Sequence, residues 1–167
     1  TFAHGEPTSR YDLSRVETRA EKTGTGYHLT GRKAVVNHAP AASALIVSAR
    51  TSGDVTDEDG ISLFLVPADK VEMRDYPVNS GGRAAEVTLD VEVPADALIG
   101  PEGGAFTAIE LANARATAAI CAEALGLMET IRGLTVDYLR QRQQFGQPIG
   151  KFQGLQNRMA ELLTEIA

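Results

Sequence analysis

The chain has 167 residues and a formal net charge of −6, with 43% apolar and 23% charged residues. Such proportions describe a soluble globular protein of one or two small domains. Without a Lys/Arg block it is not a nucleic-acid binder, since neutralising phosphates requires clustered cations. No stretch reaches the roughly 18 apolar residues of a membrane span, and the chain is read as carrying no signal peptide. The single Cys121 cannot close an internal disulfide, which implies a reducing, cytoplasmic setting. The chain begins at Thr1-Phe2-Ala3 and ends at Ile166-Ala167 inside an amphipathic run without a capping signal. It therefore reads as a piece of something larger.

Residues 1–15 are loop-like, punctuated by Gly5, Pro7 and Ser9. A strand is predicted over 16–22, a turn at Thr23-Gly24-Thr25-Gly26, and a partner strand over 27–36. The two glycines lack the spacing and the following helix of a dinucleotide fingerprint. A buried strand follows over 43–51. Next comes a polar loop holding Asp54, Asp57, Glu58 and Asp59, whose spacing is not that of a calcium loop. Further strands are predicted over 61–66, 71–78 and 84–93. In the last, Val87, Leu89, Val91 and Val93 alternate with polar residues, which gives one wet face and one buried face. Strands with short turns and no intervening helix predict an antiparallel sheet folded into a small barrel or sandwich.

From Gly104 to Arg142 no proline occurs. Ile120, Ala124, Leu127, Ile131, Leu134 and Tyr138 recur at steps of four and three, an apolar stripe on one helix face. The 39-residue span would be roughly 58 Å long at 1.5 Å per residue. A compact domain of this chain's length has a radius of gyration of only about 15 Å. The helix thus needs further helices, or another subunit, along its stripe. Phe152, Leu155, Met159, Leu162 and Ile166 repeat the pattern in a second helix. The fold class is α+β: a small antiparallel β-barrel or sandwich over 1–102, then a long helix and part of a second helix of a truncated bundle over 103–167. Cys121 reads as a small buried residue. His4, His28 and His38 have no metal-ligand spacing, and no acid–His–nucleophile set is visible.

Between the two helices lies Arg142-Gln143-Gln144-Phe145-Gly146-Gln147-Pro148-Ile149-Gly150-Lys151-Phe152-Gln153. A plain helix–helix turn needs only a Gly stop and a short polar link. This one gathers a cation, several amides and an aromatic ring, which suits a phosphate-bearing aromatic ligand. A purely structural turn stays open as the alternative.

The R-x-x-F-G-x-P-I-x-x-F-Q pattern, with Glu6-Pro7, Gly31-Arg32-Lys33, the strand end Val91-Glu92-Val93-Pro94 and Gly103-Gly104-Ala105-Phe106, resembles the acyl-CoA dehydrogenase family over nearly the whole chain. Glu6-Pro7-Thr8-Ser9-Arg10-Tyr11-Asp12-Leu13 is most similar to the branch of pimeloyl-CoA dehydrogenase small subunits. The resemblance implies a middle β-domain and the start of a four-helix bundle, FAD as cofactor and an acyl-CoA substrate. It also implies a homo- or hetero-oligomer built as a dimer of dimers. By the same resemblance Arg142 contacts the FAD pyrophosphate of a neighbouring subunit, Gln144 assists at the phosphates, Phe145 packs near the adenosine, and Gln153 lies close by. Gly5 and Glu6 belong to the loop that passes the flavin ring, and Asn37 stands at its reactive edge. Tyr11 and Asp12 fall where the substrate is met.

The sequence departs from the family in several places. Tyr11 replaces a common Ser, Val35 stands where a Trp often faces the flavin, and neither Ala116 nor Thr117 is itself an acid or an arginine. No catalytic base and no metal ligand is assigned. Two further readings follow from these departures: a non-catalytic partner subunit of a heteromeric enzyme, and a flavin monooxygenase on the same fold.

Overall fold

A computed structural model describes residues 1–166. The chain divides into two compact units, Thr1–Leu111 and Ala112–Ala167.

The first unit contains strands β1 (Phe2–Ala3), β2 (Arg19–Lys22), β3 (Gly26–Asn37), β4 (Ala44–Arg50), β5 (Ile61–Pro67), β6 (Glu72–Pro77), β7 (Arg83–Pro94) and β8 (Leu98–Ile99). They form one sheet in the order β6-β7-β3-β2-β4-β5-β8, with β1 added on β4. Alternation in β7 works as its sequence implies. Val87, Leu89, Val91 and Val93 are buried, and join Leu29, Leu45, Val47, Phe64 and Val66 in one core. Tyr27 and Phe64 meet edge to face with centroids 4.9 Å apart. In β4, Val47, Ser48, Ala49 and Arg50 are buried in succession, so both faces of that strand are covered. Gly26 is required where β3 crosses β7, because a Cβ there would collide with the Val93 carbonyl.

Three expectations are corrected. The segment read as loop over 1–15 begins with a strand, since Phe2 and Ala3 pair with Ile46 and Val47. That ladder is parallel, as is the Arg19–Arg50 bridge of β2 with β4. Two residues are too few to show a period of two, so β1 was invisible to patterning. Nor does the path close into a barrel among the described residues. Its last strand, β8, is two residues long before Gly100, at φ 74, turns the chain away.

The second unit is the greater part of α1 (Phe106–Gln141), the short strands β9 (Gln143–Gln144) and β10 (Gln147–Pro148), and α2 (Gln153–Ile166). Helix α1 starts two residues later than predicted and ends one earlier. The α2 stripe of Phe152, Leu155, Met159, Leu162 and Ile166 is half-buried. Within this unit the half-buried positions of α1 are Met128, Arg132, Thr135, Val136 and Leu139. The predicted stripe of α1, which the sequence left in need of further helices or another subunit, is exposed, with Ile120 at 66%, Leu127 at 58% and Leu134 at 67%. Helix α1 therefore carries two apolar faces about a quarter-turn apart. Cys121, read as buried, is exposed with that stripe. Ala167, where the second helix was read as continuing to the chain end, lies outside the described residues. No described helix is long and apolar enough to cross a membrane.

Candidate functional site

The predicted residues fall into two groups, one in each unit. In the first unit, β1 and the loop after it run beside the bulged end of β3. A cleft of about 410 Å³ opens between them, lined by Phe2, His4, Gly5, Glu6, Ala34 and Val35 among others. Beneath it lies a buried polar network. The Lys33 ammonium, fully buried, donates to Glu6 Oε1 at 2.7 Å, Ser48 Oγ at 3.0 Å and the His4 carbonyl at 3.2 Å. Glu6 also accepts from the Glu17 and Thr18 backbone N–H groups at 2.7 and 3.0 Å. Every ammonium proton and both carboxylate oxygens are thus used, which is what a buried ion pair requires.

Burial pushes the Glu6 pKa up, but its pairing with Lys33 and its hydrogen bonds outweigh this and leave the carboxyl below its ordinary range. Burial pulls the Lys33 ammonium down to about 8, against the attraction of Glu6. Ser48 Oγ lies 2.8 Å from His4 Nδ1. That hydroxyl also accepts from Lys33, so the imidazole is tied into the same buried network. Burial, then the nearby Lys33 charge, pushes His4 down to about 4.

Gly5 and Glu6 do line this cleft, but the Glu6 side chain is committed to Lys33 and to the loop behind it. Asn37 is exposed at the end of β3 and is not among the lining residues. Tyr11 is fully exposed, and the Asp12 carboxylate accepts from Ser14 N–H and Oγ at 3.0 and 2.8 Å, closing its own turn. Neither of these two lines the cleft.

In the second unit, β9 and β10 pair as Gln144–Gln147 and Gln143–Pro148. Phe145 and Gly146 form the two-residue loop at φ 51 and φ 78, the hairpin geometry whose twist matches the flanking strands. Arg142 N–H still donates to Tyr138 O at 2.8 Å, and the Arg142 carbonyl accepts from Ile149 N–H at 2.8 Å, so the hairpin grows directly out of α1. A phenylalanine with positive φ is uncommon. The effect here is to lift Phe145 clear, 91% exposed, with its ring edge-on to Phe152 at 6.0 Å. Gln144 and Gln153 are exposed beside it. Among the described residues the Arg142 guanidinium has no ion-pair partner. The hairpin thus brings Arg142, Gln144, Phe145 and Gln153 to one exposed end of the helix pair.

Sequence reasoning missed Arg50. Only 3% exposed, its guanidinium donates to the carbonyls of Val16, Ser14, Val55, Asp57 and Asp59 at 2.8–3.1 Å. The acidic loop over 52–60 is thereby wrapped on a cation through main-chain oxygens rather than through its carboxylates. Nothing in S-A-L-I-V-S-A-R-T signals this, because the acceptors are backbone atoms brought together by folding. Among the described residues no cluster of His, Cys, Asp and Glu is placed to hold a metal.

The architecture is that of a β-domain followed by antiparallel helices, with an exposed cation–aromatic hairpin at the helical turn. The sequence profile described as acyl-CoA dehydrogenase, middle domain, matches residues 1–91, and that of the acyl-CoA dehydrogenase C-terminal domain matches residues 103–167. The chain belongs to the acyl-CoA dehydrogenase family. It is 35% identical to an acyl-CoA dehydrogenase of Bacillus subtilis (strain 168), covering 98% of this chain and 44% of that protein. The crystal structure of butyryl-CoA dehydrogenase from Megasphaera elsdenii aligns at a TM-score of 0.88 and 29% identity, over 99% of this chain and 45% of that one. An FAD complex of PigA aligns at 0.90 and 26% identity, over 99% and 44%. The chain spans under half the length of the curated relatives it matches.

Proposed function

We propose that this chain forms part of an FAD-dependent acyl-CoA dehydrogenase subunit, residues 1–102 being the middle β-domain and 103–167 the start of the helical bundle. The observation that carries this reading is the hairpin. It presents a guanidinium and side-chain amides without partners among the described residues, and an uncovered aromatic ring, the donor set that fits a pyrophosphate and a purine. Arg142 would grip the pyrophosphate of FAD in a neighbouring subunit with its planar fork. Gln144 and Gln153 would donate amide protons nearby, and Phe145 would pack against the adenosine. In the first unit, Gly5 and the loop braced by Glu6 would pass the flavin ring, with Asn37 at its edge. Tyr11 and Asp12 would face the acyl-CoA. FAD, when bound, would accept the hydride leaving the β-carbon of the thioester.

The α-proton needs a carboxylate that this chain does not supply, since no acid lies near Ala116 and Thr117. That same gap favours a second reading, a non-catalytic partner that completes a site in a heteromer. The Glu6–Leu13 sequence keeps the pimeloyl-CoA small-subunit branch as the proposed home, in a cytoplasmic oligomer.

The test is flavin content of the purified full-length protein. Arg142→Ala should lower FAD occupancy well below that of the wild type, and unchanged occupancy would sink the hairpin assignment. Anaerobic addition of acyl-CoA should bleach the flavin. A requirement for externally reduced flavin would instead identify a monooxygenase on this fold.

A further inference from the structure

Strands β3 and β7 run in step from Gly26–Pro94 to Lys33–Val87, and resume at Val36–Ala85. Between these points Ala34 and Val35 stand opposite Glu86 alone, a bulge of two residues against one. In an unbroken strand residue 35 would face inward with Tyr27, Leu29 and Lys33. The extra residue turns Val35 outward, 56% exposed, and sends Val36 into the core at 2%. Val35 adopts φ 52, a conformation a β-branched residue holds only when its surroundings over-determine it.

Two sets of hydrogen bonds do so. Ala34 N–H donates to the Gly5 carbonyl at 2.8 Å, tying the bulge to the loop across the cleft. On the other side Glu86 Oε1 accepts from Val35 N–H at 3.3 Å and from the Tyr76 hydroxyl at 2.7 Å. Val35, with Phe2 and Gly5, lines the 410 Å³ cleft. Tyr76 and Glu86 come from neighbouring strands: β6 pairs with β7 at Tyr76–Ala84 and Arg74–Glu86. A glycine at position 35 would adopt the same backbone without strain. The valine therefore needs an anchor that a glycine would not.

We propose that Glu86 and Tyr76 are positioning residues for the cofactor cleft: their shared hydrogen bonds lock the Val35 bulge, so that its isopropyl group forms a fixed part of the wall against which the flavin ring lies. The proposal rests on the FAD reading above. Glu86 touches no reacting atom and acts only through residue 35.

The test is FAD titration of the full-length apoprotein, following affinity and the shape of the flavin absorption bands, alongside thermal unfolding. Glu86→Ala should weaken FAD about fivefold or more, the loss expected from releasing a strained backbone, and should blur the band structure. Tyr76→Phe should act in the same direction by about twofold, as removal of one supporting hydrogen bond would. Glu86→Gln, whose amide oxygen still accepts from Val35 N–H, should stay close to wild type. In a Val35→Gly background, Glu86→Ala should have no further effect on affinity. Wild-type affinity and band shape in Glu86→Ala with only a lowered melting temperature would overturn the proposal, as would additivity with Val35→Gly. If Glu86→Ala does not fold, unchanged FAD affinity in Tyr76→Phe overturns it. A wild-type protein that takes up no FAD defeats the cofactor reading itself, and the clamp with it.

Discussion

Lys33 shows how far a single residue can be read from its neighbours in sequence. Gly31-Arg32-Lys33 was visible as a landmark, but a lysine in a strand is ordinarily solvated. Here it is buried and shared by Glu6, Ser48 and the His4 backbone, groups 15 to 29 residues away in the chain. Lys33→Met should remove about 3–5 kcal/mol of stability, because Glu6 would remain buried without a counter-charge. The Glu6→Leu/Lys33→Met pair should recover much of that loss in denaturant unfolding of the full-length protein. His4 adds a pH dependence. Its imidazole is neutral in the folded protein down to about 4, whereas an unfolded histidine protonates near 6.5. Between those values the unfolded chain binds the extra proton, so stability should fall as pH drops from 6.5 to 4. The fall is up to about 3 kcal/mol at full effect. His4→Asn should flatten that part of the profile, and an unchanged slope would assign it to other groups. Arg50→Ala should cost about 3 kcal/mol or more, since several buried carbonyls lose their donor at once.

At the level of elements, the long strands and both helices follow from patterning. The alternation of β7 and the 4-3 steps of α1 and α2 are local properties, and burial over 87–93 matches the expected face. The short pieces do not follow. Strands β1, β8, β9 and β10 have two residues each and owe their extension to partners. The hairpin illustrates the division well. Arg142, Gln144, Phe145 and Gln153 were legible as a chemically unusual group, and Gly146 as a turn. That Phe145 would also enter the left-handed region was not, because only the two-residue loop length between β9 and β10 imposes it. Gly146→Ala would place a second side chain at positive φ, which should destabilise the hairpin by about 1 kcal/mol. On the proposed function this substitution should also reduce FAD retention, while distant helix-surface changes such as Arg158→Ala should not.

For the molecule as a whole, the exposed faces dominate the expectations. Ile120, Leu127, Ile131, Leu134 and Tyr138 are each more than half exposed, a larger apolar area than a solitary soluble helix tolerates. The 167-residue chain alone should therefore self-associate in sedimentation experiments, and Leu127→Glu with Leu134→Glu should reduce that association. A monomeric wild-type chain at micromolar concentration would contradict this. The amino-acid sequence by itself determined the order of strands then helices, the face that a long strand such as β7 buries, and the group of residues at the helical turn. These depend on residue spacing along one element, which the backbone period converts directly into direction. Tertiary structure alone decided the parallel pairing of β1, the choice of which α1 face meets solvent, the Glu6–Lys33 pair and the Val35 bulge. Each of those joins atoms far apart in the chain, and the low-dielectric interior and the pairing register that define them exist only once the sheet has formed.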